Sequence, residues 1–475
     1  MTKEEKRLQK ESRQLESLIK EKNRPTFKGY FAVLMGLIIL FQLLDMMATT
    51  VWNNLQEVIV RDFAGLAHDA DISFGSAGYE QYQATLSKMT LIQIVSYVFL
   101  GIVPWYKSLA DRLGRRKFFI INAAFLGAAM FIGGLTQVLV IYLIASTVIT
   151  FFTIHDMQIL YVVESVPEKK RGTWMGIVEA AGNAAGVFVI ALRLTALQPD
   201  GTVGAVPWRG IYIFVGVIGI IVFILSALLL RESRPFIDSR IKYLEKTPEE
   251  REAEKKNEAK AQGGVIAGLK LMFKNKQLRW LAIGTFCIYA ANNMISAYNA
   301  SIMSQNGFGH IEVTIALLAS CATGIIIGYI MGPIADKVSR KKAILTFGLL
   351  SALSFVVFAF GTPFIGRGTV GSIIAGILFG ITMSSYNNIV SLTALMMSES
   401  SPASMRSSII GVCNFFKVSA VISMGASAAL FKIFPVAVTC AILAVPFLVI
   451  GSVLIVIKTK ETVGRTFEEI EADFA

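Results

Sequence analysis

Long apolar runs alternate with short charged segments along almost the whole chain. The hydrocarbon core of a bilayer needs about 20 mostly apolar helical residues. Twelve runs of this length are present, at 29–55, 85–107, 118–137, 138–164, 173–197, 209–230, 278–303, 312–334, 342–362, 369–397, 406–431 and 434–457. We therefore predict an all-α membrane protein with 12 transmembrane helices.

The charged segments divide these runs into two sets of six. The longest polar insertion, Arg231 to Arg279, separates the sixth run from the seventh. We predict a charged N-terminal segment at 1–28, six-helix bundles at 29–230 and 278–457, a linker at 231–277 and a tail at 458–475. Most of the 45 Lys and Arg residues lie in segments on the side of both chain ends. Under the positive-inside rule both termini are cytoplasmic, and we expect the plasma membrane.

Composition excludes several other classes of protein. With 54% hydrophobic and only 16% charged residues, the chain cannot build an aqueous surface. The net charge of +12 does not indicate nucleic-acid binding, because the basic residues lie between apolar runs. The four cysteines lack metal-site spacing, and we find no phosphate-binding loop or nucleophile elbow. We therefore expect no metal, no cofactor and no enzymatic activity.

Two motifs recur in order in the two halves. The first is an acid followed by a basic cluster, which begins at Asp111 and again at Asp336. The second is Glu-x-x-Pro-x-x-x-Arg, which runs from Glu164 to Arg171 and, 235 residues later, from Glu399 to Arg406. Their recurrence indicates an internal repeat.

These motifs resemble the major facilitator superfamily. The segment from Tyr161 to Gly172 is similar to the sugar-porter and organic-ion-transporter branches, as are 231–235 after the sixth span and 461–470 in the tail. The resemblance implies two pseudo-symmetric six-helix bundles, and we expect a functional monomer. It also implies a cytoplasmic gating motif in which arginines pair with Glu164 and Glu399. The predicted gating residues are Asp111, Arg112, Gly114, Arg115, Arg116, Glu164, Arg171, Asp336, Lys337, Arg340, Glu399 and Arg406.

Titratable side chains inside the spans are the candidates for proton coupling, because such groups are costly in lipid unless they face a cavity or a partner. Asp45 lies on a polar stripe of the first span, and a carboxylate in such surroundings can carry a proton. His155 and Asp156 in the fourth span lie at a depth similar to that of Glu179 in the fifth, and His changes charge near neutral pH. The alternative for each is a purely structural pair.

Lys417 is the main candidate for substrate recognition. It lies near mid-membrane in the eleventh span, where a cation costs about 3 kcal/mol. The segment 416–423 resembles organic-ion transporters, in which a basic residue at this place accompanies anionic substrates. An internal salt bridge to Asp45 or Glu179 is the alternative. Amides and phenols that can donate and accept hydrogen bonds complete the predicted site, although some will only join helices. These are Asn183, Asn292, Asn293, Tyr298, Asn299, Tyr386, Asn387 and Asn388.

The combined pattern predicts a secondary transporter with one central site that opens alternately to each side. We predict proton-coupled symport of a small organic anion, such as a carboxylate, with the lipid bilayer as surroundings. Cys287–Ile288–Tyr289 departs from the sugar-porter pattern in the seventh span, which argues against a hexose. The alternatives are a carrier of sugars, polyols or other neutral solutes, an exporter, and a non-transporting nutrient sensor.

Overall fold

The computed structural model describes residues 3–23, 25, 29–103, 106, 114–153, 161–162, 164–166, 168–196, 204–247, 250, 264–337, 339–401, 409, 412 and 415–462. In these residues the chain forms α-helices, short 3-10 turns and loops, and it contains no β-strand. The prediction of an all-α protein is confirmed.

A charged helix precedes the helices of the first half. The helices up to the middle of the chain are α1 (Lys3–Lys22), α2 (Tyr30–Phe63), α3 (Ala77–Phe99), α4 (Arg115–Leu135), α5 (Leu139–Phe152), α6 (Glu168–Ala191) and α7 (Trp208–Leu229). Between the halves lie α8 (Arg234–Glu245) and α9 (Gly264–Lys274). The 3-10 turns of this half are Leu100–Ile102 after α3 and Leu192–Ala196 after α6.

The second half repeats the arrangement. Its helices are α10 (Lys276–Ser296), α11 (Asn299–Gln305), α12 (His310–Lys337), α13 (Arg340–Gly361), α14 (Thr369–Glu399), α15 (Ala420–Leu430) and α16 (Val436–Lys458). Its 3-10 turns are Thr362–Phe364 and Phe416–Ser419. Of the described helices, eight are long and apolar enough to cross a bilayer. Three shorter apolar helices lie in the fourth, fifth and eleventh predicted spans, and α10 with α11 occupies the seventh.

Equivalent helices pack in the same way in both halves. In the first, α2 packs on α6 and α7, and α4 packs on α5 and α7. In the second, α10 packs on α15 and α16, and α13 packs on α14 and α16. Large apolar side chains on the outer faces, such as Ile144, Leu228 and Leu353, are more than half exposed, as expected for side chains that contact lipid.

Glycines allow α4 and α7 to cross at close range. A Cβ added to Gly127 of α4 would lie 2.7 Å from a backbone carbon of Gly219 in α7. Without side chains at this crossing, the two backbones are in direct contact, which increases van der Waals packing between membrane helices.

The loops define two faces of the molecule. On one face, which we call the terminal face, Arg231 donates to the carbonyl of Pro25 at 3.0 Å, and Gln277 donates to the carbonyl of Lys460 at 3.0 Å. On the opposite, distal face, Asn306 donates to Thr362 at 2.6 Å. The positive-inside prediction identifies the terminal face with the cytoplasm.

Candidate functional site

Among the described residues, three pairs of helices pack closely across the two halves. α3 contacts α15, α6 contacts α12, and α2 contacts α11. Because α3 and α12 are equivalent in the repeat, as are α15 and α6, the first two pairs are related by the pseudo-symmetry. Polar side chains on these helices can therefore be shared by both halves.

A ladder of hydrogen bonds joins α3 of the first half to α10 and α11 of the second. Its members are neutral side chains that are deeply buried, apart from the half-buried Tyr97. The bonds run from Tyr97 Oη to Asn293 Oδ1 at 3.1 Å, between Thr90 Oγ1 and Tyr298 Oη at 3.0 Å, and between Tyr82 Oη and Ser301 Oγ at 2.7 Å. Their spacing of seven or eight residues along α3 is two helical turns, so they lie on one face.

Around the Tyr97 end of this ladder lies a cluster of amides and phenols. We call Gln93, Tyr97, Asn293 and Tyr386 the amide–phenol cluster. Tyr386 on α14 lies within electrostatic range of Tyr97, and Gln93 lies one helical turn from Tyr97. Among the described residues, neither amide atom of Gln93, nor Asn293 Nδ2, nor Tyr386 Oη has a hydrogen-bond partner. Buried polar groups are normally paired, so these atoms can bind a polar solute.

The distal end of the interface is ionic. Glu57 and Arg61, one turn apart on α2, form an ion pair, and Arg61 also donates to the carbonyl of Ala70 at 2.6 Å. Arg193, in the turn after α6, has no exposed side-chain surface, and its Nη2 lies 3.9 Å from Glu57 Oε2. Its Nε donates across the halves to Thr314 Oγ1 at 3.1 Å.

These contacts close the distal face between the halves. Buried charges are costly unless they are paired and hydrogen-bonded. Arg193 meets this condition with a donor bond to the carbonyl of Asn54 and another to Thr314. Separation of the halves at this face would break the bond to Thr314, so the arrangement stabilises the closed distal face.

The seventh predicted span is interrupted where it reaches the interface. α10 ends at Ser296 and α11 begins at Asn299. Near the break, Ser296 Oγ donates to the carbonyl of Asn292, and Asn299 Nδ2 donates to the carbonyl of Ser296. Side chains that bond to the backbone in this way compete with helical hydrogen bonds. The break places Tyr298 between two helices and next to α3.

Asp45 and Lys417 lie in different halves of the molecule. Asp45 on α2 is 8% exposed, and Gly182 and Gly186 of α6 pack against neighbouring positions of α2. Lys417 is half-buried in the turn at 416–419, which contacts α3.

The remaining predicted substrate residues are not all gathered at one place. Asn299 and Asn388 donate to carbonyls of their own segments, at 2.9 Å and 2.8 Å. Asn183 and Asn387 are exposed, and Asn292 is half-buried. Asp111, Arg112, His155, Asp156 and Arg406 lie outside the described residues, as do the side chains of Arg171, Glu179, Asp336 and Lys337.

On the terminal face, the predicted gating residues form ion pairs within each half. Arg115 pairs with Glu164 at 2.7 Å, and Arg340 pairs with Glu399 at 3.5 Å. These two pairs occupy equivalent positions of the repeat, and each involves the first residue of a helix, α4 or α13. They hold α4 and α13 in place in their own halves.

Two acids, one from the segment after the sixth span and one from the segment after the twelfth, cap these same helices. Glu232 accepts from the backbone N–H of Arg115 at 2.9 Å and of Arg116 at 3.2 Å. Glu461 accepts from the N–H of Arg340 at 3.1 Å in the same way. An acid at a helix N-terminus is favoured by the helix dipole, although burial raises the pKa of Glu232. Gly114 has a φ of +107°, and a side chain there would collide with Glu232.

Sequence reasoning missed the polar face of α3. Its buried polar residues recur every three or four positions, which is the period of a helix. This spacing in the sequence could have revealed the face. They are Gln83, Ser87, Thr90, Gln93 and Ser96, with Tyr79 and Tyr82 alongside. The partnership of Glu57 with Arg193 was also missed, because nothing local links residues that far apart.

Comparison with known proteins identifies the family. The sequence profile of the Major Facilitator Superfamily matches residues 26–426. The chain belongs to the Major Facilitator Superfamily. Members of this superfamily are membrane transporters and not enzymes, so the chain is a multi-pass membrane transporter.

Individual relatives within the superfamily are distant. The chain is 23% identical over 434 residues to the arabinose-proton symporter of Bacillus subtilis (strain 168), a match that covers 85% of this chain and 91% of that protein. The crystal structure of a D-xylose-proton symporter has a TM-score of 0.66 at 12% identity, and covers 92% of this chain and 100% of its own. The inward-open xylose transporter XylE from E. coli has a TM-score of 0.63 at 14% identity, with coverages of 93% and 99%. These structures show that the superfamily fold is shared.

Proposed function

We propose that this Major Facilitator Superfamily member is a proton-coupled symporter of a small polyhydroxylated solute, such as a pentose. The terminal face is taken to be cytoplasmic and the membrane to be the plasma membrane. On this proposal, the structure is closed on its external side.

The amide–phenol cluster is the observation that carries the proposal. Its four side chains come from both halves and carry no charge. Amide and phenol groups can donate and accept hydrogen bonds, as sugar hydroxyl groups do. Two relatives named as proton symporters of arabinose and xylose support the same substrate class. A neutral cluster favours a neutral solute, which the sequence left open as an alternative to an organic anion.

Asp45 is the proposed proton carrier. Of the four predicted coupling residues, it is the one whose side chain the structure describes. That side chain is buried in the first bundle. A buried carboxylate is neutral when protonated and costly when ionised, so proton binding and release can follow the exposure of the site to each side. His155, Asp156 and Glu179 stay predictions.

An organic anion is the second candidate, because Lys417 lies beside the interface. The turn that holds this residue contacts α3, which carries Gln93 and Tyr97. A cation there is well suited to a carboxylate substrate. Lys417→Gln should then abolish uptake of the carboxylate, whereas for a pentose it should reduce uptake only a few-fold.

Uptake of radiolabelled L-arabinose, D-xylose and a set of monocarboxylates into proteoliposomes tests both candidates. With an alkaline interior, the wild type should accumulate a pentose, and a protonophore should abolish the accumulation. Asp45→Asn should retain counterflow exchange but lose accumulation, and Gln93→Leu should lose both. Accumulation that is unchanged by the protonophore, or that is confined to carboxylates, would contradict the pentose–proton proposal.

A further inference from the structure

A titratable side chain other than Asp45, that of His310, lies at the distal face. His310 begins α12 in the second half, and its side chain is 9% exposed. Its Nε2 lies 2.8 Å from the carbonyl oxygen of His68, which belongs to the loop after α2 in the first half. This geometry requires the proton on Nε2, because a carbonyl oxygen only accepts.

The other ring nitrogen faces an acid. His310 Nδ1 lies 3.9 Å from Glu57 Oε2. Among the described residues, neither of these two buried atoms has a hydrogen-bond partner. With Nε2 protonated and Nδ1 bare, two acceptors therefore face each other across a gap slightly longer than a hydrogen bond. One proton on Nδ1 would give both atoms a partner and create an ion pair between the halves.

Charged groups of both signs surround the pair of His310 and Glu57. Arg61 and Arg193 approach Glu57 from α2 and from the turn after α6. Two acids lie near the same face: Asp71, whose pKa is held below its usual value by hydrogen bonds from Ser73, and Glu312. Glu312 accepts from the N–H of Gly309 and of Gly368, and Arg367 lies beside Gly307. His68 stacks on His310 with ring centroids 6.5 Å apart.

The ionic end of the interface lies beside a surface cavity. A cavity of about 420 Å³ on the distal face is lined by Leu66, Ala70, Asp71, Ser76, Ala77, Gly78 and Gln81. Ala70 also accepts the hydrogen bond from Arg61, so the cavity borders the ionic end of the interface. His310 does not line this cavity, but 9% of its side chain is exposed, which allows exchange of protons with the medium.

We propose that His310 is a proton-binding site of the distal gate, which binds a proton from the medium and then closes the halves by pairing with Glu57. The site depends neither on the identity of the substrate nor on a coupling role for Asp45. Because Glu57 faces His310 only when the halves meet, the ion pair between them belongs to the closed state. Acidification of the distal side therefore favours closure, by about tenfold for each tenfold difference in proton affinity between the states.

Proton binding can be tested directly by NMR, because the chain holds only three histidines. In detergent-solubilised protein with isotope-labelled His, His310→Gln and His68→Gln assign the ring signals. We expect the ring of His310 to take up a proton on Nδ1 when the medium is acidified, and Glu57→Gln to weaken that uptake because it removes the acid that faces Nδ1. A His310 ring that keeps one protonation state from pH 8.5 to pH 5.5 would overturn the proposal.

Closure is measured by the reactivity of a buried cysteine at the distal gate. Ser301→Cys, at a position with no exposed surface, is labelled with a charged methanethiosulfonate in the presence and absence of His310→Gln. Glutamine can still donate to the His68 carbonyl, yet it cannot take up a proton. The ratio of the two rates cancels the pH dependence of the thiol itself. The protein with both Ser301→Cys and His310→Gln should be labelled faster than the protein with Ser301→Cys alone at pH 5.5, and at nearly the same rate at pH 8.5. A ratio of the two rates that does not change with pH would overturn the proposal.

Discussion

The hydrogen bond between Arg193 and Thr314 offers a sharp test of the distal gate. It joins the halves through a buried guanidinium nitrogen and a hydroxyl at 3.1 Å. Thr314→Val keeps the shape of the side chain and removes that acceptor. The hydroxyl also donates to the carbonyl of His310 in its own helix, at 2.7 Å, but this bond exists in both open and closed states and its loss cancels.

The magnitude follows from the type of bond. Hydrogen bonds to charged groups contribute about 1.5–3 kcal/mol. If opening breaks this bond, the variant should raise the ratio of open to closed protein by about 10- to 150-fold. The labelling rate of Ser301→Cys is proportional to that ratio when opening is rapid, so the rate should rise by the same factor.

The matched control is another buried threonine. Thr439 in α16 is fully buried, and its hydroxyl has no partner among the described residues. Thr439→Val should leave the labelling rate unchanged, and protein without Ser301→Cys gives the background from the native cysteines. The reasoning fails if Thr314→Val changes the rate less than twofold, or if Thr439→Val raises it equally.

Two further predictions concern the architecture that supports the gate. Gly127→Ala should lower the free energy of unfolding by about 1–3 kcal/mol, because the new Cβ would meet the Gly219 backbone. Gly36→Ala, whose Cβ meets nothing within 4 Å, is the control, and thermal unfolding in detergent measures both. Burial raises the pKa of Glu232 in the folded protein. Its protonation therefore stabilises the folded state at pH values below the ordinary carboxyl pKa, and this stabilisation is lost as the pH rises through the pKa of the folded state. The difference in Tm between wild type and Glu232→Gln should therefore shift in the acidic range; a difference that is flat from pH 4 to 8 would refute it.

The helices could be predicted from the sequence because membrane insertion depends on local length and polarity. The first predicted span ends at residue 55, whereas α2 continues to Phe63. Hydropathy ends a span at the first charges, but Glu57 and Arg61 neutralise each other one turn apart and extend the helix. The interruption of the seventh span also depends on side-chain bonds that hydropathy does not detect.

The site was harder to predict because its partners come from distant parts of the chain. Asn293 and Tyr298 were predicted from their polarity, and they do lie at the interface with α3. Asn388 was predicted on the same grounds, yet its amide donates to the carbonyl of Ser384 in its own helix. Polarity alone cannot distinguish a residue that faces a solute from one that its own helix satisfies.

Distances between the two halves, measured on both faces of the membrane, test the central claim most directly. Spin labels at exposed positions Phe74 and Phe364 report the distal face, and labels at Lys117 and Lys342 report the terminal face, in a background with the four native cysteines replaced. We predict that addition of substrate or a change in pH shifts the populations of the two states. Under each such change the two distances should move in opposite directions, so that the distal distance lengthens as the terminal distance shortens. A short distal distance that persists under every condition, with no change at the terminal face, would contradict alternating access.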